Sequence, residues 1–186
     1  LSGQNLRRVA PVPYRKACLY LRDIATSLAL LHGRRLLHRD LSPTNVQLCQ
    51  DGRCKLLDFG ALAQFGPAEN VAGTPPLIAP EALAGGALDR RTDLYSLGAL
   101  AYWLLTGRHA YPVRTLAELP SVWREPIVPP SSVTPDVPPA LDALVLSLLR
   151  REPMARAASA AEVIARLDLI AELPPEGSVE GHRLAQ

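Results

Sequence analysis

The stretch TDLYSLGALAYWLLT, residues 92 to 106, limits the fold more than any other part of the chain. It places apolar side chains on nearly every side of a helix, so it has no water-facing position to occupy and must lie at the centre of a domain. From Tyr14 onward, Ala17, Leu21, Ile24, Ala25, Leu28 and Leu31 recur at three- and four-residue steps, which predicts one buried stripe on a helix of about 18 residues with Gly33 as its stop. The 186 residues suit one domain, since a chain of this length hides roughly 70% of its extended surface.

Around these helices the pattern is shorter. Residues 1 to 13 read as a short helix and a turn. Asp51-Gly52 between NVQLC and RCKLL predicts a tight two-residue hairpin that sets Cys49 opposite Cys54. Residues 58 to 81 read as a long ordered loop, of the kind that is functional in a compact domain. Further helices are expected near 116 to 124, 138 to 151 and 159 to 172, the last with Ser159 and Glu162 as a capping box. Residues 174 to 186 read as a linker-like tail after a domain of 1 to 173.

Composition excludes several functions. The net charge is +2 and the Arg pairs are scattered, so no basic stripe offers itself to nucleic acid. No apolar run approaches the roughly 20 residues that span a bilayer. Three cysteines without CxxC spacing, and four histidines without an HExxH cluster, give no zinc pattern and suit a reducing, cytoplasmic setting.

The chemistry-bearing stretch is LLHRDLSPTNVQL, residues 36 to 48, between the first helix and the hairpin. It is followed by Asp58-Phe59-Gly60 and by Ala79-Pro80-Glu81. Here the chain resembles the C-terminal lobe of a eukaryotic-type serine/threonine protein kinase of bacterial kind. His38-Arg39-Asp40 with Asn45 resembles the catalytic loop HRDxxxxN, residues 58 to 60 the DFG motif, and residues 79 to 81 the APE motif. Three tripeptides in this order, with Asp93 and Arg156 beyond them, are specific where one alone would be weak. The resemblance implies ATP and Mg²⁺ as cofactors and a protein substrate. It implies Asp40 as the group that takes the hydroxyl proton, with Asn45 and Asp58 as metal and nucleotide ligands, because phosphoryl transfer needs positioned oxygens and neutralised charge. Arg39, Glu69 and Thr74 would serve the activation segment, Glu69 offering Arg39 a permanent carboxylate. His38, Glu81, Asp93 and Arg156 would be structural, with Glu81 and Arg156 paired.

The sequence also departs from the family pattern. Ser42 stands where a catalytic lysine is usual, and Gln47 where an apolar residue usually lies beneath the adenine. No GxGxxG occurs, and the only lysines are Lys16 and Lys55. The expectation is therefore a mainly α (α+β), kinase-like C-terminal lobe, helical with a small β-hairpin, whose N-terminal lobe is absent and would join it in cis as a partner. A fragment of that kind would be inactive alone. The alternative is a pseudokinase or truncated lobe that scaffolds other proteins.

Overall fold

The computed structural model describes residues 3–68 and 70–173; Glu69 and the tail expected from 174 onward lie outside the described residues. In chain order the elements are β1 (Gly3–Asn5), α1 (Tyr14–Gly33), β2 (Leu36–Leu37), β3 (Val46–Cys49), β4 (Cys54–Leu56), β5 (Ala63–Gln64), β6 (Gly66–Pro67), α2 (Pro80–Leu83) and β7 (Ala87–Leu88). The helices α3 (Arg90–Thr106), α4 (Leu119–Val122), α5 (Pro130–Val133), α6 (Pro139–Leu148) and α7 (Ala160–Ala171) follow.

Helix α3 is central, as its sequence requires, and buries fourteen of its seventeen residues. Asp89 caps its start by accepting the Arg91 N–H at 2.8 Å, and Gly107, at φ 69°, ends it in the left-handed conformation that a side chain disfavours. Leu94, Leu97, Leu100, Leu104 and Leu105 are fully buried, each stabilising the fold by about 1.5–3 kcal/mol through area removed from water. Helix α6 packs on α3 at Gly98, where a Cβ would meet that of Leu148 at 2.6 Å, so the glycine sets how closely the two helices approach. Helix α1 packs on both α3 and α7. Arg15 of α1 closes the C-terminus of α7 by donating to the Ala171 carbonyl at 2.7 Å.

Local expectations shift at the ends. Gly33 is the last helical residue of α1, and Arg35 takes the left-handed position at φ 56°, with its guanidinium 5.4 Å over the Phe65 ring. Ser159 does accept the Glu162 N–H at 3.2 Å, but the Glu162 carboxylate takes the Ala158 N–H at 2.8 Å, so the box is only half closed.

The expected fold class needs correction. Residues 3 to 5 are not helical; they form β1, which pairs antiparallel with β3, Gln4 opposite Leu48, and extends the hairpin to a three-stranded sheet ordered β1-β3-β4. The sheet packs on α1 through β4. Gly3 permits this pairing, since at φ 156° its Cβ would lie 2.3 Å from the Leu48 carbonyl oxygen. Fully buried Leu6 anchors the strand. A β layer packed on a helix is thus present at the N-terminal end, and the description of a helical C-terminal lobe with one hairpin and no N-terminal lobe is withdrawn. Three residues are too few to show a period, which is why the strand left no mark in the sequence.

The hairpin register also differs by one residue. Leu48 lies opposite Cys54, and the Cys49 N–H donates to the Arg53 carbonyl at 2.9 Å. The loop therefore has three residues, with Gly52 left-handed at φ 78°. A one-residue slip puts the two cysteines on opposite faces: Cys54 is buried and Cys49 half-buried. Burial pushes the Cys18 thiol up to about 12 and raises that of Cys54 as well. Since the thiolate is the reactive form, iodoacetamide at neutral pH should label Cys49 and spare Cys18 and Cys54 in the native fold, by peptide mass mapping. Mild oxidation should yield no Cys49–Cys54 peptide, and finding that linkage would contradict the register.

Candidate active site

The site is organised from α3 outward. Asp93, in the first turn of that helix, is fully buried. Its Oδ2 accepts the His38 N–H at 2.9 Å and lies 2.9 Å from His32 Nε2, while Oδ1 accepts the Arg39 N–H at 3.0 Å. A carboxylate removed from water is tolerable only when donors surround it, and its acceptor role fixes the His32 proton on Nε2. The loop after β2 is thereby clamped at two successive amides. Arg39 itself is left-handed, at φ 67°. His38 is buried, with Nε2 3.2 Å from the Leu57 carbonyl and its ring edge-on to Phe59 at 5.5 Å.

This clamp presents Asp40. Its Oδ2 accepts from Asn45 Nδ2 at 2.7 Å, and its Oδ1 accepts from the Thr74 hydroxyl at 3.1 Å. Asn45 Nδ2 also donates to the Asp40 carbonyl at 3.0 Å, so both of its protons are committed and its amide oxygen is left to accept. The Asn45 carbonyl in turn accepts the Leu57 N–H at 2.8 Å, which brings Asp58, the next residue, alongside. Asp58 is exposed, left-handed at φ 56°, and accepts the Gly60 N–H at 3.1 Å. Asp40 and Asn45 are thus bonded to each other, and Asp58 follows the residue that the Asn45 carbonyl holds.

Thr74 reaches Asp40 because Gly73 lets the 58–81 segment touch the loop. At φ 115°, its Cβ would sit 2.7 Å from the Arg39 carbonyl oxygen. The Arg39 guanidinium grips Asn70, donating to its carbonyl and, at 2.8 Å, to its side-chain oxygen. Ser42 is buried, with its hydroxyl 2.9 Å from that of Thr44 rather than turned to Asp40. Gln47 is buried in β3, its amide lying against Gly3 of β1.

Further down the segment, Arg156 holds Glu81 at 2.7 and 2.8 Å and donates to the carbonyls of Arg91, Arg150 and Arg151. All five of its N–H groups are used, and its guanidinium stacks 4.9 Å over Tyr95. Three participants escaped the sequence reading: His32, Gly73 and Asn70. Their partners are 61, 34 and 31 residues away respectively, and no local pattern announces such contacts.

The family model for the protein kinase domain matches residues 3–166. The chain belongs to the protein kinase family. The match begins at residue 3, within β1, which likewise overturns the reading of a C-terminal lobe alone. Over 185 residues the chain is 36% identical to serine/threonine-protein kinase PknB of Mycolicibacterium smegmatis, covering 91% of this chain and 29% of that protein. Similarity to PknL of Mycobacterium tuberculosis is 34% over 182 residues, 92% of this chain and 46% of the relative. Pkn1 of Myxococcus xanthus is 39% identical over 153 residues, 76% and 22%. The chain therefore spans less than half the length of these curated relatives. By family membership it is a kinase-type, ATP-binding transferase domain. Among the described residues no helix is long and apolar enough to cross a membrane.

Breaking a buried ion pair from one side leaves an uncompensated charge and costs about 3–5 kcal/mol. Arg156→Met should accordingly lower the urea unfolding free energy by about that amount. An unchanged midpoint would show that Glu81 needs no partner.

Proposed function

We propose that the chain carries the phosphoryl-transfer site of a serine/threonine protein kinase, on a domain taken as residues 1 to 173. The observation that carries this reading is the Asp40 carboxylate, fixed on one oxygen by Asn45 and on the other by a hydroxyl, on a loop clamped by Asp93. Thr74 marks the place: a substrate hydroxyl arriving beside it meets Asp40 Oδ1, which orients it and takes its proton as the oxygen attacks. Bound Mg²⁺-ATP supplies the phosphoryl group and the charge neutralisation that phosphoryl transfer needs. The Asn45 amide oxygen and the Asp58 carboxylate would hold the metal, and Gln47 would line the nucleotide side through the neighbouring strand. Ser42 brings no charge, so the burden of neutralisation falls more heavily on the metal.

The scaffold reading keeps one specific support. Lys16 lies in α1 and Lys55 is exposed in β4, so neither lysine belongs to the Asp40 cluster. Transfer of labelled phosphate from ATP to protein Ser or Thr, measured with the full-length kinase, separates the two readings. Asp40→Asn should lower the rate by roughly 10²–10⁴-fold, the usual worth of a positioned base, and Asp58→Asn should remove Mg²⁺-dependent transfer. Undiminished transfer in either variant would defeat the role given to that residue, and no transfer by the parent would favour the scaffold.

The same site suggests how it is regulated. Thr74 is the only hydroxyl-bearing residue between Phe59 and Ala79, and it is bonded to Asp40. Arg39 instead holds Asn70, which follows Glu69 in sequence. The segment is then ordered without a phosphate, because hydrogen bonds to a charged group contribute about 1.5–3 kcal/mol. Phosphatase treatment should leave the rate unchanged, while Asn70→Ala should lower it about tenfold, and the Glu69→Ala variant measures what Glu69 adds. A loss on dephosphorylation with Asn70→Ala silent would overturn this regulation.

A further inference from the structure

A groove whose lining includes none of Asp40, Asn45, Asp58 and Thr74 remains unexplained by phosphoryl transfer. Its first part, about 740 Å³, lies between α2 and α4, with Leu83, Pro120 and Trp123 as its apolar wall. A second part of about 480 Å³ shares Arg151 and Glu152 with the first and continues along Tyr111, Ile127 and Leu149. The two parts adjoin at Arg151 and Glu152. Its floor is rigid, since the Trp123 indole N–H donates to the Tyr95 hydroxyl at 2.9 Å and Tyr95 lies under the Arg156 guanidinium. Val128 and Met154, 54% and 71% exposed, are the chain neighbours of the lining residues Ile127 and Ala155.

The charge on the rim is one-sided. Arg124, Arg150 and Arg151 are exposed lining residues, and among the described residues none of their guanidinium groups has a carboxylate or hydrogen-bond partner. Glu152 is the one exposed acid in the lining, because Glu81 is committed to Arg156 and Thr92. The backbones of Arg150 and Arg151 are held in place by their carbonyl bonds to Arg156. Fixed stems, unpaired cations and an apolar floor suit a chain of opposite charge with apolar side chains between its acids.

We propose that this groove docks an extended acidic and apolar segment of the protein substrate, away from the hydroxyl that is phosphorylated. The proposal rests on the kinase reading above. Contact there is also contact with the end of the 58–81 segment, because Pro80 and Glu81 line the groove. The docked segment would raise the local concentration of its own hydroxyl at Asp40 without touching the reacting atoms.

The test uses the full-length kinase carrying Asp40→Asn and a fluorescein-labelled peptide, EDLWEDFE, which contains no phosphorylatable residue. Anisotropy should show saturable binding that weakens as salt rises through about 0.05 to 0.3 M, where screening shortens the reach of exposed charges. The paired change Arg124→Glu with Arg151→Glu should weaken it at least about tenfold. Met154→Glu, at an exposed position that folding does not need, should weaken it too. Failure to saturate, equal binding of the lysine analogue KKLWKKFK, or indifference to both sets of changes would overturn the docking site. Sedimentation showing a dimer that these changes dissociate would also overturn it, by giving the groove to a second copy. Phosphate transfer by the parent enzyme to a basic protein without such a segment is measured in parallel. Transfer without peptide binding defeats the groove alone, and peptide binding without transfer defeats the kinase reading alone.

Discussion

The buried carboxylate of Asp93 is the interaction on which the rest of the site depends. It sits at the start of the helix most deeply enclosed by the fold, and its two oxygens hold His38, Arg39 and His32. Water offers this group nothing, so losing any one donor would leave a charged oxygen short of partners in a low-dielectric interior. That cost makes the loop geometry rigid. The position of Asp40, one residue beyond the second clamped amide, is inherited from the core and not from the loop's own sequence.

A second constraint runs along the 58–81 segment, which is tied twice in its middle and once at its end. Gly73 and Thr74 press it onto the catalytic loop, Arg39 holds it at Asn70, and the bidentate Glu81–Arg156 pair fastens its foot to α3 through Thr92 and Arg91. These ties differ in kind. The Arg156 pair is buried and satisfied by five acceptors, so it resists loss strongly. The grip on Asn70 is half exposed and neutral on one side, so it is the tie that solution conditions and neighbouring charge influence most.

Much of this could be read from the sequence, and what could not has identifiable causes. The central helix, the stripe on α1, the hairpin and the motif residues around Asp40 follow from local pattern, because periodicity and turn chemistry act over a few neighbours. Strand β1 was invisible because three residues carry no period. Its pairing depends on Gly3 meeting Leu48 across the sheet. The hairpin slip arose because Asp-Gly suits both two- and three-residue loops, and the choice is made by packing: the Asp23 carboxylate of α1 takes the Cys54 N–H at 2.9 Å and draws that residue inward. His32 and Asn70 were missed for the same reason, since each acquires its role from a partner that only the folded chain brings near.

Two non-glycine residues at the site, Arg39 and Asp58, occupy left-handed backbone, where L-residues are disfavoured by roughly 1–2 kcal/mol. They stand on either side of the hairpin, with β3 and β4 between them. Each strained residue lies next to a group that the core will not release: His38 in front of Arg39, and Leu57, bonded to the Asn45 carbonyl, in front of Asp58. The strain is therefore supported locally by bonds that reach back to α3 and to the sheet. Relaxing either residue would re-aim a carboxylate, that of Asp40 after Arg39 or that of Asp58 itself. The bonds that hold the fold are thus also the bonds that hold this strained backbone, and sparsely populated conformations persist only where the surroundings over-determine them.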